Sequence, residues 1–313
     1  MKTLTELTIG TCFLLLLVLE IPVAHSQNKN PEKIKLITSD LDNFWEAYDK
    51  SLPDYKSNVF DQYYIKKGSP GLKGFMKGRI GNAENLSASI NMRPQYYASL
   101  REICSKVSTF ERPIKSYLVK MKEFYPDAIF PPVYFVIGVM NSGGTISRNG
   151  LIIGVDMYGL ASTMPVGELS TWHKEVLKSI NEIPHIVAHE LVHFQQKYDG
   201  NDLLSACIKE GAADFIAELI SGSHINNHVH EFANPKEREL WLEFKEKMFM
   251  KDFSGWLYSS QEGRPNDLGY WMGYQITKAY FEKKSNKIEA VRDIMTIKDF
   301  KGFLDESGYA EKF

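Results

Sequence analysis

Apolar and aromatic residues recur at three- and four-residue spacing between Ser39 and about Pro126, as in Leu41, Phe44, Trp45 and Tyr48 and again in Tyr117, Leu118, Met121 and Phe124. That spacing puts them on one face of a helix, so the region predicts amphipathic helices that form a packing layer. Gly68-Ser69-Pro70-Gly71, followed by Gly74 and Gly78, interrupts the pattern and predicts a loop or a broken helix. After Pro131-Pro132 the character changes. Val133-Tyr134-Phe135-Val136-Ile137 and Gly150-Leu151-Ile152-Ile153-Gly154-Val155 are rich in β-branched and aromatic residues and predict two strands. The residues between them, Asn141-Ser142-Gly143-Gly144-Thr145, supply turn chemistry. Helical spacing returns from about Thr171 to the end, through a loop near 222–234. Helices, a short sheet and helices again predict an α+β fold, mostly helical with a small, mainly antiparallel sheet, and not the alternation that builds a parallel sheet.

The start of the chain departs from this pattern. Lys2, an apolar run from Ile9 to Leu19 and the small-residue site Ala24-His25-Ser26 read as an export signal over residues 1–26, with the mature chain beginning near Gln27. The run is too short, and too soon followed by Glu20 and Pro22, for a membrane span, which needs about 20 apolar residues. Cys12 lies inside the run after Thr11, whereas a lipid-attachment cysteine should close it after a small residue, so no lipid is expected there. Export predicts a periplasmic or secreted protein without stable membrane insertion after cleavage. The remainder of the 313 residues suffices for a helical region over 27–130 and a catalytic region over 131–313, packed as one compact unit. A formal net charge of −2 without a long basic run excludes the electrostatic footprint of a nucleic-acid binder. Cys104 and Cys207 remain in the mature part, as one disulfide or as two buried thiols.

Chemistry concentrates in Ile186-Val187-Ala188-His189-Glu190-Leu191-Val192-His193-Phe194. Two histidines four apart project from one helix face and can reach a single metal ion, with Glu190 beside them to accept a proton from metal-bound water. The apolar flanks strengthen this reading, because imidazoles on a helix fit for burial are costly without a ligand or partner. A tetrahedral zinc ion needs a third protein donor. Downstream, Glu210-Gly211-Ala212-Ala213-Asp214 places two carboxylates four apart on a second apolar helix, with small residues between them that suit close helix packing. Glu210 is expected to complete a Zn2+ site with His189 and His193. Asp214 is expected to take the outer ring N–H of a ligand histidine, His189 by choice. His185 falls near the same face and reads as structural or solvated. His224, His228 and His230 form a looser cluster without matching carboxylate spacing and stand outside the site.

These two motifs resemble the gluzincin metallopeptidases, the thermolysin-like group, and the resemblance implies the roles of third ligand for Glu210 and outer partner for Asp214. The wider chain, including Gly68-Ser69-Pro70-Gly71-Leu72 and Leu268-Gly269-Tyr270-Trp271-Met272-Gly273-Tyr274, also looks like an uncharacterised bacterial family of predicted zinc-dependent proteases. Such membership implies a metallopeptidase-like fold with a strand bordering the cleft, drawn from Gly143 to Val155, and a tyrosine or histidine that stabilises the oxyanion. Tyr270 is the candidate for that donor, Tyr274 is its rival, and both also fit as helix-packing residues.

The expected activity is then that of an exported zinc peptidase acting on a peptide or protein substrate, with Glu190 as general base and Tyr270 at the oxyanion. A second reading is a non-catalytic binding or assembly protein of the cell envelope on the same fold. The intact ligand set and Glu190 weigh against it, since a decayed site more often lacks one of them.

Overall fold

The computed structural model describes residues 28–258 and 262–313. The expected signal segment, residues 1–26 with Cys12, lies outside them. The aromatic spacing after Ser39 forms helix α1 (Ser39–Ser51), which buries Leu41, Phe44 and Tyr48. Phe44 makes an edge-to-face contact with Tyr64 at 5.3 Å, and their surroundings form the apolar layer under one face of the sheet. Gly68-Ser69-Pro70-Gly71 is a helix start, not a break. Ser69 caps α2 (Pro70–Phe75) by accepting from the backbone N–H groups of Gly71 and Leu72, and Pro70 at the first helical position needs no partner for an N–H it lacks. The Ser69 N–H and hydroxyl donate in turn to the buried Asp40 of α1, at 2.9 and 2.5 Å. A cap of this kind contributes about 1 kcal/mol. Beyond Phe75 the chain continues through Gly78 as a wider π turn, Met76–Ile80.

The sheet has four strands: β1 (Leu36–Ile37), β2 (Val133–Val136), β3 (Gly144–Ser147) and β4 (Gly150–Gly154), in the order β1-β2-β4-β3. β2 and β4 are the two segments marked by their β-branched and aromatic composition. Both are buried along their whole length, as expected of central strands covered on two faces. The expectation of a mainly antiparallel sheet is corrected. β1 and β2 run parallel, as do β2 and β4, and only β3 and β4 are antiparallel. The reason lies in the glycine-rich connection. It does not turn straight back from β2 but carries the chain to the outer edge, where β3 folds onto β4 through a tight turn opposite Ser147 and Gly150.

Helices α3 (Glu111–Phe124), α4 (Ile183–Gln195), α5 (Leu203–Ser221), α6 (Asn227–Ala233) and α7 (Leu268–Lys283) complete the elements that matter for the site. The segment expected as a loop near 222–234 is largely α6. Helix α4 lies against β3 and β4, α5 packs on α4, and α7 runs along α5. The centre of this arrangement is the apolar α4, which buries Ile183, Ile186, Val187, Ala188, Leu191 and Val192. Gln195 pins its last turn to the chain before β2, donating to the Ile129 carbonyl at 2.8 Å and accepting from the Ile129 N–H at 3.0 Å. Cys104 and Cys207 are both buried free thiols. Among the described residues, no helix is long and apolar enough to cross a membrane.

Candidate metal centre

The HExxH spacing places His189 and His193 on one face of α4, and the packing of α5 brings Glu210 across to them. Nε2 of His193 lies 3.0 Å from Nε2 of His189 and 3.0 Å from Oε2 of Glu210, and Nε2 of His189 lies 3.7 Å from the same oxygen. These three residues are a group able to hold one metal ion. Two tetrahedral zinc ligands at about 2.0–2.1 Å from the ion stand about 3.3 Å apart, a value these separations bracket.

The outer nitrogens show how the rings are set. Nδ1 of His189 faces Oδ1 of Asp214 at 2.8 Å, and Nδ1 of His193 faces Oε1 of Gln196 at 2.8 Å. Both partners are acceptors, so each Nδ1 carries the proton and each Nε2 turns a lone pair inward. Two lone pairs and a carboxylate at these distances repel one another unless a positive charge joins them. The electrostatics agree. Burial opposes a proton on His189, but the hydrogen bonds to Asp214 and Glu210 outweigh it and raise the ring to about 10. Burial likewise opposes charge on His193, where Glu210 prevails and raises it. Burial opposes charge on Glu210 as well, yet His193 and His189 hold its carboxyl well below the ordinary carboxylate range. Surroundings that hold protons on two buried imidazoles suit a cation in their place, so the donor set fits zinc.

The elements hold this geometry through residues with no evident role in the sequence. Gln196, at the end of α4, donates to the Lys209 carbonyl on α5 at 2.8 Å while accepting from His193, and so ties the two helices beside the centre. Its position three residues after His193, on the same helix face, was the available signal. Asn226, just before α6, donates to Oδ2 of Asp214 at 2.6 Å. Tyr258, in the loop before α7, donates to Oε1 of Glu210 at 3.2 Å. Helix α5 itself starts at a capping box made by Asp202 and Ser205 and stops at Gly222 in the left-handed region.

Glu190 is buried beside the ligands. Burial pushes its carboxyl up, with His193 and His189 pulling it down. The Tyr270 ring lies parallel to His189, with centroids 6.1 Å apart and 15° between planes, so it packs against a ligand ring. Tyr274 points elsewhere, its hydroxyl 2.5 Å from Oε2 of Glu218. His185 stacks on Tyr117 at 5.6 Å and meets Ser221 at 3.1 Å, away from the centre.

A family model for gliding motility protein GldB matches residues 25–311. No curated protein and no solved structure matches the chain. The match overturns the gluzincin resemblance and the likeness to a family of predicted zinc-dependent proteases, and with them the expected hydrolase, a zinc-dependent metallopeptidase with Glu190 as general base. The physical reason is that two histidines four apart and a carboxylate on a facing helix build a cation site, and holding a cation does not by itself supply a reaction. The motif therefore carries a ligand set and not a reaction. The family's label also marks lipoproteins, in keeping with export. The expectation of no lipid rests on Cys12, which precedes both the matched span and the described residues.

Proposed function

The chain belongs to the family of gliding motility protein GldB, and we propose that it is a non-catalytic binding or assembly protein of the cell envelope that serves gliding. The observation that carries this reading is the family match, which runs through nearly the whole chain. In it the helix pair α4 and α5 beside a small sheet is a metallopeptidase-like layout put to a structural use. His189, His193 and Glu210 hold zinc, and the bound ion supplies a cross-link between the two helices. Burial of the ligand side chains, 5%, 10% and 12% exposed, supports an ion held between the two helices. Envelope proteins are the expected partners, and nucleic acid is not.

Complementation of a deletion strain tests this directly. Glu190→Gln keeps size and hydrogen-bonding capacity and is expected to restore gliding to the wild-type level, whereas His193→Ala is expected to fail through loss of the metal cross-link. Loss of gliding in a folded, zinc-loaded Glu190→Gln protein would sink the non-catalytic reading.

A further inference from the structure

Beyond the first centre, the end of α5 brings two more imidazoles together. Gly222, at φ 83, turns the chain out of α5, and His224 follows at once. Helix α6 then carries His230 back onto α7. The His224 and His230 rings stand 4.2 Å apart, centroid to centroid, with 36° between their planes. Tyr274 forms a wall for both, at 4.7 Å from His230 and 6.0 Å from His224. Its hydroxyl is taken by Glu218.

Nδ1 of His224 and Nε2 of His230 are both buried and have no hydrogen-bond partner. Two such nitrogens on adjoining rings point to a shared ligand that satisfies both, either a water or an ion. Burial, and then the neighbouring His224, push His230 down to about 4, so its ring is neutral at pH 7 and offers a lone pair. Imidazole nitrogens select zinc, nickel and copper(II) over the oxygen-seeking cations.

We propose that His224 and His230 form a second cation site, for a divalent ion of the zinc, nickel or copper class, separate from the centre at His189, His193 and Glu210. Two protein nitrogens bind the ion and water completes its shell. Occupancy would fasten the turn between α5 and α6. That turn contains Asn226, the donor to Asp214 behind His189, and the Ile225 carbonyl held by Lys178 at 2.6 Å. The second site therefore steadies the outer partner of the first.

The test uses the mature chain, stripped by chelator and titrated with Cu2+ under electron paramagnetic resonance, beside zinc content after equilibrium dialysis. His193→Ala, which removes the first centre, is expected to bind one Cu2+ with nitrogen hyperfine structure. Adding His224→Gln or His230→Gln, both polar and close in size, should abolish that signal, and the wild type should hold two zinc ions against one in each single-site variant. The proposal is overturned if His193→Ala binds no ion, or if its signal survives both glutamine substitutions. A wild type whose one ion is lost with His224→Gln but kept in His193→Ala would uphold this site while rejecting the first.

Discussion

The Glu190 carboxyl lies against the backbone of Gly144 so closely that a methyl group there would overlap Oε1 and stand 2.8 Å from Cγ. The edge strand β3 and helix α4 thus meet where an added Cβ would press on the Glu190 side chain. Gly144→Ala is expected to force β3 away and cost about 1–3 kcal/mol, the usual range for overpacking. Glu190→Ala in the same chain should relieve most of that cost, so the two changes couple. Urea unfolding of the two single variants and the double variant measures the coupling. Additive losses would mean that strand and helix do not press on each other at this point.

Zinc held by His189, His193 and Glu210 should stabilise the folded chain. At a free concentration 100 times the dissociation constant, a ligand specific for the folded state adds about 2.7 kcal/mol. Thermal unfolding with and without zinc is expected to show that rise in His224→Gln, which keeps only the first centre, and none once Glu210→Ala is added to it. Asp214→Ala keeps the ligands but removes the partner of His189, and a loss of about 10–100-fold in zinc affinity is expected, as for other outer partners of metal-bound histidine. Full affinity in Asp214→Ala would show that Asp214 does not set the His189 ring.

Asp156, buried just after β4, accepts from the backbone N–H groups of Gly138 and Met140 at 2.8 and 2.6 Å. Burial raises its carboxyl from 3.8 to about 6, against those hydrogen bonds. Between these values the folded chain keeps a proton that the unfolded chain has released. The stabilisation is therefore complete below about pH 4 and lost as pH rises through 6, a change of roughly 3 kcal/mol from this residue. Asp156→Asn does not titrate, so unfolding free energies measured from pH 4 to 7 should fall less steeply than in the wild type. Parallel curves for the two proteins would remove Asp156 as the source.

Legibility followed the range of each interaction. Helix periodicity exposed α1 and α3, and β-branched composition exposed β2 and β4, because both patterns arise within a few neighbouring residues. His189, His193, Glu210 and Asp214 could be paired for the same reason, their spacings being set by a single helical turn. Strand direction was not local: Leu36 and Ile37 join β2 from almost a hundred residues away, and no pattern near β2 announces them. Asn226 and Tyr258 were silent because each acts through a loop that tertiary packing positions, and Gln196 offered only its spacing from His193. The role of the centre was the least legible feature, since a ligand set does not by itself fix a reaction.

The closest helix contact offers the most severe test of the fold around the centre. Gly273 of α7 lies directly on the Cys207 carbonyl of α5, and Gly211 of α5 lies on the backbone between Gly273 and Tyr274, so an added Cβ at either position would enter the facing main chain. Backbone cannot swing aside as a side chain can, and relief requires the two helices to separate. Helix α5 carries Glu210 and Asp214, so separation at Gly211 acts on the metal centre one residue away. Gly273→Ala changes no ligand and touches no titratable group, yet is expected to cost 3 kcal/mol or more, roughly the upper end of overpacking, and to lower zinc affinity with it. Calorimetry and zinc titration of this variant measure both effects. A wild-type unfolding temperature would show that the α5 and α7 backbones do not touch in solution, and retained affinity in a destabilised variant would show that α4 and α5 hold the centre without support from α7.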